Sequence, residues 1–124
     1  MTKARDDLGE WLTMGHGFVP EVRGLILGRR FRADWAKVTF DDGDQTQFVP
    51  EISDGVVVEY DGIMSAGPSH MSITKVMRDQ EKSNLLQLAG FIVIRCNAKT
   101  VQSGDCYTWI TAALALKGLL DEPE

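Results

Sequence analysis

Cysteine and histidine are scarce in this chain, which holds two of each among its 124 residues. Cys96 and Cys106 stand ten apart, with no second pair and no histidine at ligand spacing. That excludes a disulfide scaffold, a zinc site and a CxxC redox motif. The two thiols read as buried or free side chains in a reducing cytoplasm. Long apolar runs are missing as well: nothing approaches the ~20 residues of a spanning helix. The opening MTKARDDLGE lacks the apolar stretch of a secretory signal.

What remains, 44% hydrophobic and 25% charged residues, is the composition of a soluble globular protein. The length fits one domain over residues 1–124, with 1–20 as an N-terminal helix and lead-in and 118–124 as an acidic tail. The net charge of −5 argues against a general phosphate-backbone binder. Its distribution is uneven, however. Residues 41–61 carry seven acidic side chains and no basic one, whereas Arg29, Arg30, Arg32 and Lys37 crowd into one short segment. A local basic face is compatible with an acidic whole, as is an ordinary solvated surface.

Hydrophobic spacing predicts a mixed α/β or α+β domain, with helices flanking a small central sheet. Leu8, Trp11 and Leu12 mark a first amphipathic helix, expected to pack as a lid or edge and broken by Gly15 and Gly17. The run FRADWAKVTF alternates as a strand with Arg32, Asp34, Ala36 and Val38 on one face. DDGDQT reads as a turn, and Pro50 with Asp54-Gly55 as another, the two bracketing a hairpin arm. VVVEYDG is a second strand, with Val57, Glu59 and Asp61 sharing a face. KVMRDQEKSNLLQLAG reads as a helix whose apolar residues are Met77, Leu85 and Leu88, closed by Gly90. FIVIRC is a strand, and Asp105 to Leu116 a last amphipathic helix.

Chemistry concentrates on Asp34, Glu59 and Asp61 at strand positions, with Asp79, Glu81 and Lys82 on the following helix and His70 in the loop before it. Hard carboxylate oxygens suit Mg²⁺, whose retained water can serve as a nucleophile for phosphodiester hydrolysis. A lysine or histidine can orient or deprotonate that water. The same carboxylates are also ordinary residues of strand ends and helix starts, where Asp79 and Glu81 favour the helix dipole.

Taken in order, RRFRADWA, VVVEYDG, a loop with SH, RDQEKSN, LAGFIVIRC and VQSGDCYTWI resemble the PD-(D/E)XK nuclease superfamily over about residues 29–113. The nearest likeness is to small phage and bacterial endonucleases related to very-short-patch repair enzymes and Holliday-junction resolvases. The resemblance implies a restriction-endonuclease-like core and an Mg²⁺- or Mn²⁺-dependent endodeoxyribonuclease. It assigns Asp34, Glu59 and Asp61 to the metal. Where the motif has a lysine two residues after the acid, this chain has Asp61, so the lysine role is expected to pass to Lys82. His70 is the implied general base or phosphate ligand, or else a surface residue. Arg29, Arg30, Arg32 and Arg95 are the implied DNA contacts, and Asn84 would satisfy buried backbone near the site.

The small size and the family imply a homodimer acting on branched DNA, such as a Holliday junction, in a bacterial or phage-infected cytoplasm. The departure at Asp61 leaves a second expectation: a catalytically weakened nuclease fold that binds DNA or a partner protein in a replication or recombination complex. Cleavage of RNA is a third, since metal-activated water does not distinguish the sugars.

Overall fold

The computed structural model describes residues 3–26, 28–41, 51–62 and 73–120. Along these run α1 (Lys3–Glu10), β1 (Val19–Arg23), β2 (Arg32–Asp41), β3 (Glu51–Tyr60), α2 (Ile73–Leu88), β4 (Ile92–Cys96), α3 (Ala98–Ser103) and α4 (Asp105–Leu116). A wider π-type turn, Trp11–Gly15, extends α1. The four strands form one mixed sheet in the order β1-β2-β3-β4. The first three are antiparallel neighbours, whereas β4 lies parallel to β3. A parallel pair needs a crossover, and α2 supplies it.

Alternation along β3 divides the core in two. Val56 and Val58 point to the layer made by α1, α3 and α4, where they meet Leu8, Leu12, Trp35, Cys96, Cys106, Ile110 and Leu114. Val57 points the other way, with Ala36, Leu86 and Phe91. Ile110 and Leu114, one turn apart on α4, are fully buried, and burial of each contributes roughly 1.5–3 kcal/mol. The expected α/β architecture is thus present, with helices on both faces of a small mixed sheet.

Three local expectations are corrected. First, α1 is not a lid or edge. Leu8 and Leu12, four residues apart and so on one helical face, are fully buried in the larger core. Second, Asp54-Gly55 is not a turn but part of β3. A Cβ at Gly55 would lie 2.2 Å from the Lys37 carbonyl oxygen, so glycine here permits close strand approach. It adjoins a register shift between Thr39 and Phe40. Asp54 is held in the strand by the Thr39 hydroxyl at 2.8 Å and by Lys117 Nζ at 3.0 Å.

Third, α2 is rotated from its expected phase. Met77 and Leu88 are 62% and 84% exposed, while Leu86 is buried. The sheet-facing line instead runs through Asp79, Lys82, Ser83 and Leu86, polar for most of its length because it covers the carboxylates described below. Gly90 does close this helix. With φ at +106°, it donates to Gln87 O while Phe91 N donates to Leu86 O, a Schellman arrangement.

Two elements escaped the sequence reading. The edge strand β1 is mostly exposed and contains Pro20 and the left-handed Glu21, so it carries no alternating apolar signal. The short α3 opens on a reciprocal box in which Asn97 and Thr100 each accept from the other's backbone N–H. The turn at 42–46, the loop containing His70 and the end of the acidic tail lie outside the described residues.

Candidate active site

The sheet forks between its central strands. β2 and β3 pair as far as Trp35 and Val58. Beyond that point β2 stays with β1 through Ala33 and Arg32, and β3 stays with β4 through Glu59 and Tyr60. Asp34 and Glu59 stand at the crotch of the fork, where backbone N–H groups lose their interstrand partners. Their carboxylates take over: Asp34 N donates to Glu59 Oε2 at 3.0 Å, and Tyr60 N donates to Asp34 Oδ2 at 2.9 Å. This reciprocal clasp fixes both side chains in orientation and satisfies two amides that would otherwise be unpaired.

Lys82 closes the site from α2. Its ammonium forms an ion pair with Glu59 Oε1 and donates to the Arg32 carbonyl oxygen at 2.6 Å. Glu59 is 4% exposed, and burial pushes its carboxyl above the usual 4.5, opposed by Lys82 and by the Asp34 amide. Arg32 adds a longer-range cation, with Nη2 4.0 Å from Asp34 Oδ1. Two acids and one lysine from three separate elements therefore converge at one point.

Asp61 and Arg95 form a second unit beside it. Just past the end of β3, Asp61 accepts from Arg95 Nε at 3.0 Å and from Arg95 Nη2 at 2.7 Å. This two-pronged contact raises the proton affinity of Arg95 further. Ser83 Oγ accepts from Arg95 Nη1 at 2.9 Å and ties the pair to α2. Ser83 was not foreseen, although helical spacing assigns it to the sheet-facing side once Lys82 is placed there.

The remaining candidates are dispersed. Arg29 pairs with Glu81 and lies over the Phe31 ring, 4.5 Å from its centroid. Arg30 is exposed. Asp79 pairs with Lys75, one turn earlier on α2, at 3.5 Å. Asn84 is exposed on the outer side of α2, so it does not satisfy buried backbone; the corrected helix phase is the reason. His70 lies outside the described residues.

Of the three carboxylates, Asp34 alone keeps an oxygen without a close partner among the described residues. Asp34 Oδ1 accepts no hydrogen bond among the described residues, whereas Glu59 Oε1 is held by the Lys82 ammonium, which an incoming cation would have to displace. Mg²⁺ is commonly held by one or two carboxylates together with substrate phosphates. Both Asp61 oxygens are taken by Arg95, and among the described residues no group of three or more His, Cys, Asp or Glu side chains is disposed to hold a metal.

Compared with known proteins, the chain matches no family model, no curated protein and no solved structure. Among the described residues, no helix is long and apolar enough to cross a membrane.

Proposed function

We propose that this chain is a metal-dependent DNA endonuclease that hydrolyses phosphodiesters at the fork between β2 and β3. The observation that carries the reading is the convergence of Asp34, Glu59 and Lys82 from β2, β3 and α2. A lysine beside a buried glutamate and a part-buried aspartate is the arrangement expected if the role vacated at Asp61 has passed to the helix. Mg²⁺ or Mn²⁺ held by Asp34 and Glu59 would supply charge stabilisation at the scissile phosphate and a water of lowered pKa.

The chain's own groups do the rest. The Asp34 and Glu59 carboxylates are held by backbone amides and need little reorganisation on binding. Lys82 neutralises Glu59 and can donate a hydrogen bond to an attacking water. Arg95, oriented by Asp61 and Ser83, is aligned to meet a phosphate oxygen, which gives Asp61 the role of a positioning residue rather than a ligand. Following the resemblance, the substrate is branched DNA such as a four-way junction, the working form a homodimer and the setting a bacterial or phage-infected cytoplasm.

A second reading has an observation of its own. Asp61 and Arg95 neutralise each other, and with a net charge of −5 this favours a nuclease fold that only binds DNA or a partner. A thermal-shift titration with Mn²⁺ separates the two, because an ion that binds the folded state alone raises its melting temperature. The endonuclease reading expects a Mn²⁺ shift that Glu59→Gln abolishes, together with metal-dependent cutting of a labelled four-way junction. Junction binding without a Mn²⁺ shift or cutting selects the binding module.

A further inference from the structure

An open cleft of about 830 Å³ lies between the segment leading into β2 and the outer side of α2. Arg29, Arg30 and Phe31 form one wall, and Met77, Arg78 and Asn84 are on the other. We infer that this cleft takes an unpaired DNA strand and leads it to the fork. The inference rests on the endonuclease reading and adds a substrate class to it: DNA with a single-stranded segment beside the scissile phosphate.

Charge is the first argument. The whole chain is acidic, yet the cleft carries three arginines against Glu81 alone. Arg29 is bound to Glu81, whereas Arg30 and Arg78 are exposed and have no ion-pair partner among the described residues. Two unpaired guanidinium groups facing one trough from opposite walls are placed to bind successive phosphates of a single backbone.

The lining between them is suited to bases. Phe31 is half-buried, with the Arg29 guanidinium stacked on it 4.5 Å from the ring centroid, and Met77 leaves 62% of its surface exposed. Aromatic and guanidinium planes are the surfaces on which unstacked bases settle without sequence preference. A duplex keeps its bases stacked and offers none of their faces to such a lining, so an unpaired strand is the occupant. Asn84 and Gln80, one turn apart on the same wall, add amides that can meet base edges.

Nearness to the fork is the third argument. The cleft and the carboxylate site are neighbours along the chain: Phe31 stands three residues before Asp34, and Glu81 adjoins Lys82. They lie on different sides of α2, with Lys82 turned to the sheet and the cleft on the outer side. A strand lying on Arg30 and Arg78 would pass the turn of α2 that carries Lys82.

The test is fluorescence anisotropy in EDTA with labelled dT15, rU15 and a blunt 15-base-pair duplex. It compares the wild type, the Arg30→Glu/Arg78→Glu double variant and Glu59→Gln. Melting curves confirm that each variant is folded. We expect wild type and Glu59→Gln to bind dT15 at least tenfold more tightly than the duplex and more tightly than rU15. The double variant should lose at least tenfold in affinity for dT15. Its salt dependence should weaken by about 1.4 in log–log slope, the loss of two single-strand phosphate contacts.

Unchanged dT15 binding by the double variant would overturn the inference, as would equal binding of the duplex. A preference for rU15, or equal competition by polyglutamate, would show that the occupant is not a DNA strand. Failure here is distinct from failure of the nuclease reading. Junction DNA cut at the wild-type rate by the double variant rejects the cleft alone, whereas cleft-dependent dT15 binding with no metal-dependent cutting rejects the nuclease alone.

Discussion

Replacing Lys82 by Met removes the cation that faces Glu59 while keeping most of the side-chain stem. The two side chains are 15% and 5% exposed, so the carboxylate left behind is a buried charge without its partner. Breaking such a pair costs roughly 3–5 kcal/mol. Protonating Glu59 offers an escape, at about 1.4 kcal/mol for each pH unit above its ordinary 4.5. That limit is about 0.7 kcal/mol at pH 5 and about 3.4 kcal/mol at pH 7. The lost hydrogen bond to Arg32 O adds about 1 kcal/mol at any pH. The sign follows from proton uptake. Burial raises the proton affinity of Glu59 in the folded chain, and more so without Lys82, so the folded state binds more protons than the unfolded one above pH 4.5 and stability falls as pH rises. In urea unfolding followed by tryptophan fluorescence, the deficit of Lys82→Met relative to wild type should grow from at most about 2 kcal/mol at pH 5 to about 4 kcal/mol at pH 7. The Glu59→Gln/Lys82→Met double variant should show no such growth. A Lys82→Met deficit of the same size at both pH values would refute the claim that Lys82 neutralises Glu59.

The rotated phase of α2 is checked by Leu86→Ala and Leu88→Ala: the first should cost about 2–5 kcal/mol and the second under about 0.5 kcal/mol in urea unfolding. Gly55→Ala places a methyl 2.2 Å from the Lys37 carbonyl oxygen and should cost at least about 2 kcal/mol, seen as a clear drop in melting temperature. Lys117 and then Thr39 hold the Asp54 carboxyl below its usual 3.8, so its contribution to stability is present above that pH and is lost as pH falls through the lower folded value. An acid titration of the melting temperature should accordingly be flatter below about pH 4 in Asp54→Asn than in the wild type.

Much of the fold was legible because alternation and helical spacing are strong where one side is buried. β2, the later part of β3, β4 and α4 follow such runs. β1 was not, since an exposed edge strand with a proline carries no such pattern. The phase of α2 was misread for an instructive reason. Met77 and Leu88 are apolar but face outward, while the sheet-facing side carries Asp79, Lys82 and Ser83, and a hydrophobicity rule assigns those to solvent. Asp34, Glu59 and Lys82 could be selected from residue type and order, but their meeting depends on the fork and on how α2 lies over the sheet, both tertiary facts. The pairing of Asp61 with Arg95 likewise depends on β4 lying parallel to β3. Gly55 looked like a turn because Asp-Gly is a turn dipeptide; its role in close strand approach appears only once Lys37 lies opposite.

The most direct test of the central claim is the rate at which a labelled four-way junction is cut in Mg²⁺ or Mn²⁺ by the wild type and by Asp34→Asn. Asparagine keeps an oxygen for the Tyr60 amide, so the clasp and the fold persist while the carboxylate is lost. Metal-dependent cutting by the wild type, reduced at least a hundredfold in Asp34→Asn, is the expected result. Cutting that survives Asp34→Asn at the wild-type rate, or a wild type that binds the junction and leaves it intact, would contradict the assignment of the fork as a nuclease centre.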